Sequence, residues 1–343
     1  MSSRVLIRRS GLHHLSSDSS NMQRQLLYFL LTTTILTTII LATPGCSSIA
    51  GRFLARSIEQ IGDPIAPVSP KLHRPIRPDT ELAITWVGHA TVLIQISDKV
   101  FITDPMFTNT VGMVMRRRSE RGLDPSSITK LDYTLISHIH LDHYSYGSID
   151  MLPQDGMLLV PFGALPYTPD FDHREIREMK PWDVVEEEGV RITAVPVQHF
   201  SGRYGFDIPW ARDRGYTGYV IEYRGKTVFF GGDTGYHPEL FKEIGRRFDV
   251  DVALLPIAPI EPRDFMAHNH IDPAEALIIL EDLDAKVMMP MHHRTFVQGF
   301  DPTLTFAVEQ LQRIAKEKNV ADRVLVLDIG EQRVLLNGTD VRH

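Results

Sequence analysis

The sequence predicts a layered α/β domain with β-sheets at its centre. Three observations carry that expectation. From Glu81 onward, short runs rich in Val, Ile and Thr recur every few residues; amphipathic helical runs are set among them, mostly toward the second half; and 343 residues with 43% hydrophobic content are enough for a large core.

Taken in order, LAITWVGHATVLIQI and KVFITDP read as two neighbouring strands joined by a turn at Ser97-Asp98, and YTLIS as the next. GMLLVPF, RITAVPVQH, TGYVIEY, KTVFFGGD, DVALLPIA, AKVMMPMH and RVLVLDIG continue the strand series. Among the helices, HPELFKEIGRRF puts Leu240, Phe241 and Ile244 on one face behind Pro238. DPAEALIILEDL opens on an Asp272 cap with Pro273 at the first helical position, and TLTFAVEQLQRIAKEK is a third amphipathic run. No repeat of solenoid period is present.

The chain divides into residues 1–45, 46–80 and 81–343. Arg24 precedes the uncharged apolar run from Leu26 to Ala42, which leads into TPGCSS. That order describes a secretory signal. Gly45-Cys46 resembles a bacterial lipoprotein processing box, and the alternative is an uncut signal anchor. Both place the domain outside the cytoplasm and attached to the membrane, because Arg4, Arg8, Arg9 and Arg24 lie on the N-terminal side. The polar stretch before Met22 suggests that translation starts at Met22. Residues 47–80, rich in Pro and basic side chains, read as an extended extracytoplasmic linker. The formal charge of −7 argues against nucleic acid as a partner, and the single cysteine rules out an internal disulfide or a thiolate cluster.

The chemistry concentrates in SHIHLDHYS, where His138, His140, Asp142 and His143 follow the strand YTLIS. Imidazole and carboxylate are zinc's ligands where cysteine is not offered. The first two histidines share a side of an extended segment, while Asp142 and His143 turn toward a neighbouring point, so one loop can feed two metals. His199, Asp233 and His292 each close another apolar run. Taken singly, each histidine reads as an ordinary core or surface residue. Their repetition at strand ends favours a metal site. Asp104, ending FITDP, is the candidate to orient the histidines through their other ring nitrogens, against its plainer reading as a turn residue before proline.

HxHxDH, a distant His, GDTG and a last His after a strand resemble the metallo-β-lactamase superfamily. The resemblance implies an αββα four-layer sandwich with a two-metal site at one edge. It assigns His138, His140 and His199 to one zinc, Asp142, His143 and His292 to the other, and Asp233 as the bridge. Iron or manganese stays open as the metal, and His293 as an alternative to His292. Over roughly residues 80 to 315, TWVGHATVLIQI, FITDP, FFGGDTGYHPELFKEIGRRF, PIAPIEPRDFM and HIDPAEA are similar to the branch containing N-acylphosphatidylethanolamine-hydrolysing phospholipase D, and less closely to ascorbate-6-phosphate lactonases. His293-Arg294 replaces a Trp-Gly of the eukaryotic pattern, which makes Arg294 a candidate substrate contact.

The resulting expectation is a dinuclear zinc hydrolase, cutting a phosphodiester of an N-acylphosphatidylethanolamine-like lipid with a metal-bridging hydroxide. Asp142 and His270 are the candidate catalytic residues, His270 by resemblance and against an equal reading as a histidine before a helix cap; His89 is a further candidate near the site. A lactonase or carboxylic ester hydrolase is the alternative within enzymes, and a non-catalytic metal-binding surface lipoprotein the alternative outside them. Arg116, Arg117 and Arg118 after VGMVM offer either a lipid-headgroup contact or a solvated charge run, the latter favoured.

Overall fold

The computed structural model describes residues 49–341 apart from 61, 70, 113–114, 212 and 337–338, so the expected signal segment and Cys46 lie outside the described residues. The chain forms two compact units, Met1–Arg56 and Ser57–His343. Ile49–Glu59 is helical, and the sheets described below belong to the second unit. Among the described residues no helix is long and apolar enough to cross a membrane.

The run over residues 82–96 is two strands and not one: β1 (Leu82–Gly88) and β2 (Thr91–Ile96). Gly88 at φ 122° and His89 at φ 55° reverse the chain, pairing Gly88 with Thr91. Glycine, lacking Cβ, adopts the first of these angles at little cost. The turn at Ser97-Asp98 leads into β3 (Lys99–Thr103), antiparallel to β2. A small ribbon of β4 (Thr110–Val111) and β5 (Met115–Arg116) follows, then β6 (Tyr133–Leu135), β7 (Met157–Pro161) and β8 (Glu175–Met179). Next come β9 (Val184–Glu187), β10 (Val190–Val195), β11 (Gly218–Tyr223), β12 (Lys226–Phe230), β13 (Val252–Pro256) and β14 (Val287–Met291). Finally β15 (Gln332–Leu336) and β16 (Thr339–Val341) return beside β1. One sheet runs β16-β15-β1-β2-β3-β6-β7-β8 and the other β14-β13-β12-β11-β10-β9.

Alternation along the strands builds the layers. Phe101 enters the core between the sheets, while its neighbours Val100 and Ile102 join a cluster on the outer side of the first sheet. In the second sheet, Val228 and Phe230 face inward and Phe229 faces the helices Pro238–Arg247, Pro273–Asp282 and Phe306–Glu317, meeting Phe241 and Leu277 in one cluster. This is the αββα arrangement, with the helical cover on the first sheet reduced to Tyr146–Ile149 and a 3₁₀ turn at Pro125–Ser127. The helix caps follow the sequence: Asp272 accepts from the Ala274 and Glu275 amides, and Glu275 reaches back to complete a capping box.

Three expectations need correction. RVLVLDIG is not a ladder strand; after a 3₁₀ turn at Ala321–Arg323 it gives only an isolated bridge from Val324 to Met288, with Leu325 and Leu327 buried. Its alternation records burial on one side, which needs no hydrogen-bonded neighbour along the whole run. The described residues between 62 and 80 are not a free tether, since Ala66 N donates to Arg118 O at 2.8 Å and Leu72 and Ile76 pack on the outer cluster. The arginine triplet is not a solvated charge run throughout. Arg117 is fully buried, donating to Met106 O at 2.7 Å and Ser119 O at 3.2 Å, and burial pushes it down to about 10. Arg118 pairs with Asp63.

Candidate metal centre

β1, β3 and β6 of the first sheet and β10, β12 and β14 of the second run in the same sense, so their C-terminal ends share one edge. His89, Asp104, His138, His199, Asp233 and His292 all follow those ends. Several do so in a left-handed backbone conformation: His89 at 55°, Asp104 at 34° and His292 at 64°. For a non-glycine residue this costs on the order of 1 kcal/mol or more, which surrounding contacts must hold in place.

Four side chains form a tight cluster. His143 Nε2 lies 3.1 Å from His292 Nε2, 3.3 Å from Asp142 Oδ2 and 3.3 Å from Asp233 Oδ2. His292 Nε2 lies 3.7 Å from Asp142 Oδ2 and 3.1 Å from Asp233 Oδ2. An ion with nitrogen and oxygen ligands at zinc distances in a tetrahedron sets its ligand atoms roughly 3.3 Å apart. The five measured edges bracket that value.

His138, His140 and His199 form a second group, their ligand nitrogens within 4.8 Å of one another. Their rings stand nearly perpendicular, at 82°, 81° and 84°. Asp233 Oδ2 lies 4.0 Å from His138 Nε2 and so stands between the two groups. The donor atoms fit metal ions on a further count. His138 Nε2, His199 Nε2 and Asp233 Oδ1 are buried with no hydrogen-bond partner among the described residues, an expensive state for polar atoms that no ligand claims.

The opposite ring nitrogens of His138, His143 and His199 are held. Asp104 Oδ2 accepts from His143 Nδ1 at 2.6 Å and from Ser137 Oγ at 2.5 Å, and Ser137 Oγ lies 2.9 Å from His138 Nδ1. His199 Nδ1 donates to Asn269 O at 2.9 Å. One buried carboxylate therefore fixes the ring orientation of a histidine in each group.

The charges differ between the groups. Burial holds His138 and His199 well below the ordinary imidazole range and lowers His140, so these are neutral ligands near pH 7. For His143 and His292, burial acts downward but Asp233 foremost outweighs it, raising His143 well above its ordinary value and His292 to about 9. Burial acts upward on Asp142 and Asp233, yet His143 beside the first and His292 beside the second hold both well below the carboxylate range. A buried pair of carboxylates demands positive charge, which protonated His143 and His292 supply here and which divalent ions would supply in their place.

His270 stands at the rim, Nδ1 3.6 Å from Asp233 Oδ2, and burial pushes it down to about 4. His89 contacts Asp142. The choice between His292 and His293 resolves by direction: the His293 ring stacks on Trp86 at 4.5 Å, away from the carboxylates. Arg294 is not brought to the centre. Its φ of 57° turns it away to bond Leu327 O and Asp328 and to lie over the Trp86 ring. Sequence reasoning missed Ser137 and Gln298; Ser137 stood visibly beside His138, whereas nothing marked Gln298.

Beside the ligand loop lies an apolar groove of about 600 Å³, lined by Tyr146, Tyr167, Tyr204, Phe206 and Trp210 among others. Phe206 is 84% exposed. Arg203 joins groove and centre, lying over the Tyr146 ring and donating to Ile139 O within the ligand loop and Tyr144 O just after it.

Comparison with known proteins agrees with this geometry. The family profile described as "Beta-lactamase superfamily domain" matches residues 99–293. An N-acyl-phosphatidylethanolamine-hydrolyzing phospholipase D of Saccharomyces cerevisiae, a mitochondrial protein, is 28% identical over 261 residues, covering 72% of this chain but only 54% of the yeast protein. A UPF0173 metal-dependent hydrolase of Methanopyrus kandleri is 28% identical over 73% of this chain and 98% of its own length. The crystal structure of a possible metal-dependent hydrolase from Veillonella parvula superposes with a TM-score of 0.58 at 18% identity, over 75% of this chain and 100% of that one, a likeness of fold.

Proposed function

The chain belongs to the β-lactamase superfamily and is a metal-dependent hydrolase, and from that premise we propose that it is a dinuclear zinc phosphodiesterase of phospholipase D type acting on N-acylphosphatidylethanolamine-like lipids. The observation that carries the lipid reading is the exposed aromatic groove beside the ligand loop. Such a surface suits an acyl chain. A small lactone would leave it unused, which is why the lactonase or carboxylic ester alternative ranks second. The yeast relative supports the same substrate class. A non-catalytic lipoprotein is disfavoured because every expected ligand position is filled.

His138, His140, His199 and Asp233 would hold one ion, and Asp142, His143, His292 and Asp233 the other. Bound there, a pair of divalent ions supplies a nucleophile near neutral pH and neutralises charge on phosphate oxygens. The chain's own residues do the rest. Asp104 and Ser137 hold the imidazoles in position, and the groove orients the lipid so that its phosphodiester faces the strand ends. His270, neutral and at the rim, is placed to contact the phosphate, and it could pass to the leaving oxygen a proton that it first takes up from the attacking water. The nitrogen and oxygen donors without thiolate favour zinc, with iron and manganese as competitors. The apolar run before Cys46 supports a lipoprotein or signal-anchored protein on the outer side of the membrane, to be checked by fractionating cells and probing with protease.

The deciding experiment is a substrate panel: N-acyl phospholipids of graded acyl length, simple phosphodiesters and lactones, each with products identified by mass spectrometry. Release of phosphatidic acid and an N-acylethanolamine, faster for long acyl chains, is expected. Turnover of lactones with none of any phosphodiester would overturn the assignment.

A further inference from the structure

His138, His143 and His199 are braced through Nδ1, whereas Asp142 must be restrained through its carboxylate oxygens. Its carboxylate sits on a loop and rotates about two torsions. Two neutral groups restrain it: His89 Nε2 lies 3.1 Å from Asp142 Oδ2, and Gln298 Nε2 donates to the same oxygen. Both restraints are tied to the segment that carries His292. His89 O accepts from His292 N at 3.0 Å and His89 N donates to Thr295 Oγ1 at 2.7 Å. The His89 ring packs 4.0 Å from that of His292. Gln298 lies on that segment itself, so the stretch from His292 to Gln298 supplies one ligand and steadies another.

We infer that Gln298 and His89 are positioning residues for the ion held by Asp142, His143 and His292. This rests on the metal-centre reading and not on the lipid substrate. A carboxylate has about four acceptor positions. Both donors reach Oδ2, so they take that oxygen's share of the capacity and leave the rest of the carboxylate for an ion. A neutral amide suits this task better than Lys or Arg, because a cation at that point would cancel the negative charge that draws a dication. Conversely, an acceptor there would push the Asp142 carboxylate out of place.

The test uses metal-stripped full-length protein titrated with Co²⁺, followed by calorimetry and by the visible absorption of the bound ion. For Gln298→Ala, one of the two binding phases should weaken about 10- to 100-fold with the other unchanged, and the melting temperature of the metal-free protein should stay at the wild-type value. Gln298→Glu, nearly the same shape but without the donor, should bind that ion more weakly still. His89→Gln should weaken the same phase. Wild-type binding in Gln298→Ala, or restored binding in Gln298→Glu, would overturn the inference, the second by showing that the side chain merely fills space. The Gln298 pair decides the matter even if the His89 variant does not fold. Because the readout is ion binding, lactone-only turnover in the substrate panel would defeat the lipid assignment and leave this result standing.

Discussion

The two halves of the metal centre are built differently from the same loop. His138, His140 and His199 offer neutral imidazoles, with Asp233 at 4.0 Å from His138. Asp142, His143 and His292 close around Asp233 within 3.1 to 3.7 Å, with two carboxylates among them. Charge favours the carboxylate-bearing half, so it should fill first and hold its ion more tightly. The imidazole half should be the site that empties on dilution.

The largest effect is expected where the halves meet. Asp233→Asn removes the charge both share, and kcat/KM should fall by more than the roughly 100-fold upper range for contacts outside the ligands; metal analysis should find less than one ion per chain after dialysis. Next, single alanine replacements should split the comparison. His143→Ala should abolish the tight binding phase, whereas His140→Ala should remove only the weak one and leave close to one ion per chain. Equal losses in the two variants would show the halves to be equivalent.

The gathering of these side chains was legible in the sequence, because candidate ligands at strand ends are marked by the apolar runs before them. His199, Asp233 and His292 each follow a buried strand, and HxHxDH fixes four side chains on one loop. The misses have physical causes. β8 reads EIREM, and its charged residues remain partly exposed at the sheet edge, so it shows little of the alternation that marks a half-buried strand. β1 and β2 merged into one expected strand because the reversal at Gly88-His89 sits inside an unbroken apolar pattern. Gln298 left no signal, since a single amide past a ligand says nothing until the chain folds it onto Asp142. Arg294 misled for the opposite reason: it adjoins a ligand in sequence but faces Asp328 in space.

Asp104 joins the two halves and sharpens the comparison at an intermediate scale. It touches His143 directly and His138 only through Ser137. Asp104→Asn should therefore weaken the tight phase about 10- to 100-fold and the loose phase less, as read by Co²⁺ titration. The same variant unsettles a buried network, and unfolding by denaturant should show a loss of about 1–3 kcal/mol.

The smallest effect should come from the groove, because it acts on substrate and not on ions. Phe206 is 84% exposed, so Phe206→Ser should change stability by less than about 0.5 kcal/mol and leave both binding phases untouched. Covering an aromatic side chain with an acyl chain contributes about 1.5–3 kcal/mol at most, so KM for a long-chain lipid should rise on the order of 10-fold. A short-chain analogue that never reaches Phe206 should show no change. Equal losses for long and short chains would mean that Phe206 acts through Arg203 and the ligand loop, making the groove part of the centre and not a separate seat for the acyl chain.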